Sequence, residues 1–343
     1  MEGDFIKINE WLKPLSWLYG LGVGLRNALF ELGILKSHSF YIPVISVGNI
    51  TVGGTGKTPH VEYLVQLLRK NFHVAVLSRG YKRKSKGFKI ADEHSTARDI
   101  GDEPLQIHRK FQDVTVAVDR NRCHGINMLT SKEAKKDVDV ILLDDAYQHR
   151  YVKPGINILL VDYHRLIIYD KLLPAGRLRE PISSKSRADM VIVTKCPKDL
   201  KPIDFRVIAK AMNLFPYQKL YFTTLEYGAL SPIYCGEQKQ LEDIKPHDHI
   251  MLLTGIASPK QIAIDLMPYS KNIHPLTFGD HHAFSQKDVK TINETFAEMP
   301  SPKMIITTEK DATRLFGIDG LSEEVRHNIY ILPVRIAFLL DEE

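Results

Sequence analysis

An apolar run, Tyr41 to Val47, leads into the glycine-rich stretch Gly48-Asn49-Ile50-Thr51-Val52-Gly53-Gly54-Thr55-Gly56-Lys57-Thr58-Pro59, and a helical pattern opens at once in His60-Val61-Glu62-Tyr63-Leu64. Strand, glycine loop and helix N-terminus in that order are the setting a nucleotide phosphate needs. Glycines let backbone N–H groups converge, and the helix dipole favours negative charge. Lys57 then reaches the terminal phosphates and Thr58 offers a hydroxyl to magnesium. Pro59 suits the first helical turn, where its missing N–H would have had no partner. Thr51 stands where the usual pattern has its first glycine, so the loop is of the variant kind found in partition-type ATPases. Those carry an extra lysine where this chain has Val52. The expected nucleotide contacts are Thr51, Val52, Gly53, Gly54, Thr55, Gly56, Lys57 and Thr58.

Apolar runs alternate with helical patterns through the rest of the chain. Strands are expected at 42–47, 74–78, 114–118, 138–143, 156–162, 189–194, 219–225, 249–254, 303–307 and 329–334. Helices are expected at 59–70, 121–135, 203–213, 259–267 and 286–298. Such alternation predicts mainly parallel sheets covered on both faces, with the chemistry in the loops that follow the strands. The expected fold is therefore α/β: a P-loop NTPase-like, mainly parallel sheet domain and a second, smaller α/β domain. Gly228, Pro232, Gly236 and the polar run 237–240 interrupt the rhythm. The predicted division is an N-terminal region (1–30), a P-loop domain (31–225) and a smaller domain (226–343), which suits a chain of 343 residues.

A net charge of +5 fits an anionic substrate or surface without choosing one. Cys123, Cys196 and Cys235 are widely spaced, which excludes a disulfide framework or a cysteine zinc site and points to a reducing compartment. Near the N-terminus, Trp11 to Leu25 is apolar and aromatic, but its uncharged run from Pro14 falls short of the roughly 20 residues a spanning helix needs. Glu2 and Asp4 precede it, unlike a secretory signal. Two tryptophans, a tyrosine and Lys13 suit a helix lying in a membrane interface.

The run Val138–Leu143 ends in Asp144 and Asp145, the Walker-B arrangement of a strand-end acid beside a phosphate loop. Neighbours on a strand point to opposite faces, so the two acids have different jobs, and either one is open as the metal ligand. Gly101-Asp102-Glu103-Pro104 presents a second acidic pair in a fixed turn. Phe278-Gly279-Asp280-His281-His282 gathers an acid and two imidazoles, read as an acid-oriented histidine rather than a metal site. The basic run from Arg79 to Lys89, around Tyr81, suits an anionic substrate or lipid headgroup. It comes without any recognised nucleic-acid motif, so no nucleic-acid partner is expected.

Together these segments resemble the tetraacyldisaccharide 4'-kinases, the lipid A 4'-kinases of Gram-negative bacteria. The likeness runs through the glycine loop, Leu77-Ser78-Arg79-Gly80-Tyr81, Gly101–Pro104 and Leu143-Asp144-Asp145-Ala146-Tyr147-Gln148-His149-Arg150. It continues through Leu173–Pro181, Thr254-Gly255-Ile256-Ala257, Phe278–His282 and Thr307-Thr308-Glu309-Lys310-Asp311. Ala146 and Tyr147 replace a glycine and a phenylalanine usual in that family. The resemblance implies transfer of the γ-phosphate of ATP to the 4'-hydroxyl of an acylated glucosamine disaccharide 1-phosphate. It places the enzyme peripherally on the cytoplasmic, anionic face of the inner membrane, with no obligate protein partner. It implies Mg2+ held by Thr58, Glu103 and Asp144, and Asp102 as base beside His281 oriented by Asp280. Asp145 and His149 are competitors for the base. Arg79, Tyr81, Arg120, Gln148, His149, Arg177 and Arg179 are the candidate substrate contacts, and domain closure is expected to complete the site. A P-loop ATPase switch and a nucleotide-binding membrane scaffold are the competing classes.

Overall fold

In the computed structural model, which describes residues 8–131, 137–256, 259–280 and 282–340, most of the expected strands form at the expected positions. The chain divides into two compact units, one of residues up to Ser95, Ile107–Leu225 and from Ile336 onward, the other of Thr96–Gln106 and Glu226–Arg335. The first holds strands β1 (Val44–Gly48), β2 (Val74–Ser78), β3 (Lys89–Ile90), β4 (Thr115–Val118), β5 (Val140–Asp144), β6 (Ile156–Asp162), β7 (Met190–Thr194) and β8 (Lys219–Tyr227). Its helices are α1 (Lys13–Glu31) and α2 (Lys57–Leu68); α3 (Ala97–Ile100) and α4 (Asp102–Lys110) come next in the chain, then α5 (Arg122–Leu129) and α6 (Pro202–Met212). The boundary between the units falls inside α4.

Alternation sorts the strand residues onto two faces. Val74, Val76, Leu142, Ile158 and Leu160 pack against Val61 and Val65 of α2 and Ile107 of α4. Ala75, Leu77, Ile141 and Leu143 face Ile126 and Leu129 of α5. Val191 and Val193 face Ile208 and Met212 of α6. Cover on both sides explains why these strands read as continuous apolar runs. β1 lies between β5 and β6, with β2 to β4 beyond β5 and β7 and β8 beyond β6. Such a reversal of strand order is where open α/β sheets bind ligands. Parallel pairing sets Val47 opposite Asp144, so the strand-end acid stands beside the root of the glycine loop.

The second unit is a sheet of β9 (Ser231–Pro232), β10 (His249–Thr254), β11 (Asn272–Thr277), β12 (Lys303–Thr308) and β13 (Ile329–Leu332), in the order β11-β10-β12-β13-β9. Helix α7 (Pro259–Leu266) covers one face, and α8 (Gln286–Glu298), α9 (Glu309–Leu315) and α10 (Glu323–Asn328) the other. The last strand, β14 (Val334–Phe338), pairs beside β8 at the edge of the large sheet. Short β3, β9 and β14, and β11, have no counterpart among the expected strands. Pro275 hides β11, and proline is tolerated there because the strand lies at an edge. Helix α5 ends at Leu129, short of the expected 135, and residues 132–136 lie outside the described ones.

The units differ from the predicted division in two exchanges. Residues 96–106, expected with the P-loop domain, belong to the second unit, where Arg314 bonds to Asp102. Residues from 336 belong to the first, through the pairing of β14.

Helix α1 packs in an unusual sense. Its buried residues are Ser16, Asn27 and Phe30. The Ser16 hydroxyl donates to the Leu172 carbonyl (3.0 Å) and accepts from the Ala175 N–H (2.9 Å). At about 100° per residue, Trp17, Leu18, Leu21 and Leu25 fall on the opposite side, and each is 65–74% exposed. No helix among the described residues is long and apolar enough to cross a membrane.

Two glycines test this packing. A Cβ on Gly48 would lie 2.8 Å from Tyr147 Cβ and 2.9 Å from its backbone nitrogen, whereas one on Gly22 in α1 would meet nothing within 4 Å. Gly48→Ala is expected to destabilise the protein by about 1–3 kcal/mol through overpacking. Gly22→Ala should raise stability by up to about 1 kcal/mol through helix propensity. Urea unfolding midpoints of the two variants measure both; a Gly48→Ala protein as stable as wild type would refute the close approach.

Candidate active site

The glycine loop lies between β1 and α2. Gly53 (φ 124°) and Gly56 (φ 77°) take backbone conformations that side-chain-bearing residues rarely adopt. Gly56 caps α2, which makes Lys57 its first residue. Inside the loop, Asn49 Nδ2 donates to the hydroxyls of Thr55 (2.8 Å) and Thr51 (3.3 Å). From outside, Arg179 is committed to the loop: its N–H donates to the Ile50 carbonyl, Nε to the Thr51 carbonyl (2.9 Å) and Nη2 to Asn49 Oδ1 (2.8 Å). Gln148 Nε2 donates to the Asn49 carbonyl (2.7 Å), and its own oxygen accepts from Arg179 (3.3 Å). The Arg177 carbonyl accepts from the Val52 N–H, while its side chain is exposed. Arg179 and Gln148, expected as substrate contacts, brace the glycine loop.

The Walker-B strand ends in Asp144, which is 1% exposed. Asp145 takes a left-handed backbone (φ 48°), which short polar side chains tolerate. That turn sets its carboxylate 3.6 Å from Lys57 Nζ and 3.6 Å from Arg179 Nη1. Burial alone would raise the Asp145 pKa; the charges of Lys57, Arg179 and Arg122 outweigh it and hold the group below the usual range. Because Asp145, not residue 146, takes the left-handed turn, Ala146 fits where the related family has glycine. The Tyr147 hydroxyl donates to the Ser184 carbonyl (2.7 Å), giving the extra oxygen a buried partner.

Arg122 is the residue the sequence reading missed. Arg120, chosen there, is exposed, whereas Arg122 is buried in the first turn of α5. Its guanidinium donates to the carbonyls of Arg120 (3.3 Å) and Asp145 (3.5 Å). Burial lowers its pKa to about 10 against the pull of Asp144 and Asp145, so it stays charged. A cation opposes the dipole at a helix N-terminus and needs acids nearby, and an Arg-x-Arg run closing a strand was the available signal. Arg79 faces the same group, contributing with Arg122 and Arg26, after burial, to lowering His149 to about 4. Tyr81 is exposed.

In the second unit, Arg314 Nε (3.0 Å) and Nη2 (2.7 Å) both donate to Asp102 Oδ2. The same guanidinium donates to Asp311 Oδ1 (3.0 Å), and Asp311 Oδ2 accepts from the Gly255 N–H (3.0 Å). Lys310 joins Asp280 (3.5 Å) and Glu103 (3.8 Å). Lys310 of the Thr-Thr-Glu-Lys-Asp segment and Arg314, three residues beyond it, thus supply the cations that hold both expected acidic motifs. His281 lies outside the described residues. His282 stacks on Phe278 and bonds Asp288 Oδ2 (2.9 Å) at the start of α8, a structural use.

Comparison with known proteins follows the same lines. A family described as tetraacyldisaccharide-1-P 4'-kinase matches residues 8–343. A tetraacyldisaccharide 4'-kinase of Phocaeicola vulgatus is 58% identical over 345 residues, spanning 100% of this chain and 94% of that protein. One of Bacteroides thetaiotaomicron is 53% identical, spanning 100% and 92%. Among solved structures, LpxK of Aquifex aeolicus in complex with ATP superposes with a TM-score of 0.74 at 29% identity, covering 95% of this chain and 94% of that one.

Acid should loosen the phosphate loop through His60. Its Nδ1 lies 2.7 Å from the Gly56 carbonyl and its Nε2 3.0 Å from the Thr223 hydroxyl. Burial lowers its pKa from 6.5 to about 4. Between those values the unfolded chain binds the extra proton, so stability is full above pH 6.5 and falls on acidification, by up to about 1.4 kcal/mol per pH unit. His60→Gln is expected to lose less stability than wild type between roughly pH 7.5 and pH 5, which takes in the upper part of that span. Equal losses in urea unfolding would exclude His60 as the titrating group.

Proposed function

The chain belongs to the tetraacyldisaccharide-1-P 4'-kinase family, and on that premise we propose how its own side chains carry the reaction. It is an ATP-dependent lipid A 4'-kinase. The 4'-oxygen of an acylated glucosamine disaccharide 1-phosphate bonds to the γ-phosphorus, the bridging P–O bond to ADP breaks, and the hydroxyl proton passes to a base. The observation that carries this reading is the glycine loop with Lys57 held 3.6 Å from a left-handed Asp145. Backbone N–H groups from Gly53 to Lys57 cradle the phosphates, and Lys57 takes the developing charge. The hydroxyl of Thr58 and the carboxylate of Asp144, hard oxygens on neighbouring segments, fit magnesium, which when bound neutralises phosphate charge; the family resemblance adds Glu103.

Asp102 is the base in this reading, with its Oδ2 held by both Arg314 bonds. The resemblance pairs Asp280 with His281 beside it. His149 and Asp145 suit the role less, because both are held below their ordinary pKa and so bind a proton weakly. Arg79 and Tyr81, exposed beyond β2, are left for the substrate's 1-phosphate, with Arg177 as a further cation.

The acyl chains keep the substrate in a bilayer, so the enzyme must work at its cytoplasmic, anionic surface, where ATP is supplied. Helix α1 supports that location. It turns serine and asparagine inward and presents Trp17, Leu18, Leu21 and Leu25 outward, the reverse of a helix built to cover a core.

Wild-type protein with γ-labelled ATP and detergent-dispersed tetraacyldisaccharide 1-phosphate is expected to label the lipid, and Lys57→Ala to label none. Label released only as free phosphate would favour an ATPase switch and sink the kinase reading. In vesicle sedimentation, Trp17→Ser/Leu21→Ser should bind anionic vesicles at least roughly tenfold more weakly, from the loss of two buried apolar groups. Unchanged binding would remove α1 as the membrane contact.

A further inference from the structure

The end of β7 also reaches the glycine loop, and nothing above gives it a role. The Thr194 hydroxyl, fully buried, donates to the Thr55 carbonyl (3.0 Å). The Lys195 ammonium donates to the Gly54 carbonyl and pairs with Asp162 Oδ2 (2.7 Å) at the end of neighbouring β6. Lys195 adopts a left-handed backbone (φ 57°) at the turn that follows β7. His60 Nδ1 holds the next carbonyl, that of Gly56.

Three consecutive carbonyls of the loop are therefore engaged, two by the end of β7 and one by His60 of α2. In a trans peptide the carbonyl of one residue and the N–H of the next are antiparallel. Holding the carbonyls of Gly54, Thr55 and Gly56 turns the N–H groups of Thr55, Gly56 and Lys57 the other way. Successive N–H groups aimed together form an anion nest. We propose that Thr194 and Lys195 are positioning residues that preset this nest for the phosphates of ATP without touching the nucleotide. Asp162 in turn fixes the Lys195 ammonium. The inference rests on the kinase reading, since it assigns the loop's ligand from it.

A nest set before the nucleotide arrives aids ground state and transition state alike, so its loss should raise KM and spare kcat. The test uses full-length enzyme with Thr194→Val and Lys195→Met, which keep side-chain size, and Lys195→Arg, which keeps a donor. Steady-state kinetics in ATP and competition by inorganic pyrophosphate are measured for each. Thr194→Val and Lys195→Met are expected to raise both KM for ATP and the pyrophosphate inhibition constant about tenfold, the loss of one hydrogen bond to a charged or buried group. kcat should stay within about threefold, and Lys195→Arg should recover most of the loss. A raised KM with unchanged pyrophosphate inhibition would overturn the proposal and move Lys195 to the nucleoside. Lowered thermal stability of the nucleotide-free protein with KM unchanged would reduce both residues to scaffolding and overturn it too. A wild-type protein that transfers no phosphate would instead overturn the kinase reading beneath it.

Discussion

A loop that binds phosphate with its backbone has given up the side chains that would hold its own shape. In the proposed reading Gly53, Gly54 and Gly56 make the N–H groups available, and those three positions have no side chain to pack. Its conformation has to be imposed by neighbours, and much of the first unit answers that requirement. Arg179 and Gln148 fasten residues 49–51 from one side. Thr194, Lys195 and His60 fasten residues 54–56 from another. Asn49 spans the interior between the two threonines. Ordering the loop through the fold means that less entropy remains to be lost when the phosphates bind.

The same economy governs the charges around it. Lys57 and Arg179 face the half-buried carboxylate of Asp145, and buried Arg122 faces both Asp144 and Asp145. Burial disfavours the charges of Asp145 and Arg122, and the opposite charges facing each of them offset that cost. Removing a single member leaves an uncompensated charge, which is why such a cluster is specified as a set. Asp145 is the pivot. Its left-handed turn is what lets adjacent carboxylates on one strand end serve different partners.

These details divide sharply into what a sequence exposes and what it conceals. The glycine loop, the Walker-B strand and the parallel, doubly covered sheet were legible because each is local: a run of apolar residues, a turn, a helix start. Strand β11 was not, because Pro275 contradicts strand propensity and only an edge position excuses it. Arg120 and Arg122 look alike in sequence, and burial alone separates them. Arg179 and Gln148 are the kinds of residue that contact substrate, and the loop groups they bond lie 130 and 99 positions away in the chain. The membership of residues 96–106 depends on Arg314, which no periodicity connects to Asp102. Long-range hydrogen bonds carried the function-bearing part of the fold, and they leave no local trace.

Helix α1 joins these strands of argument. Its outward leucines and tryptophan are inexplicable as core, and its inward residues are not idle. Arg26 donates to the Gln148 carbonyl (3.0 Å), and the Tyr19 hydroxyl donates to the Arg179 carbonyl (2.9 Å). Gln148 and Arg179 are the two residues that hold the front of the phosphate loop. The helix proposed to meet the bilayer is thus bonded directly to the braces of the loop proposed to hold the nucleotide. A reaction between a water-soluble phosphate donor and a membrane-bound acceptor requires both contacts to be set in one frame. Here the frame is a pair of hydrogen bonds, each to the backbone of a bracing residue.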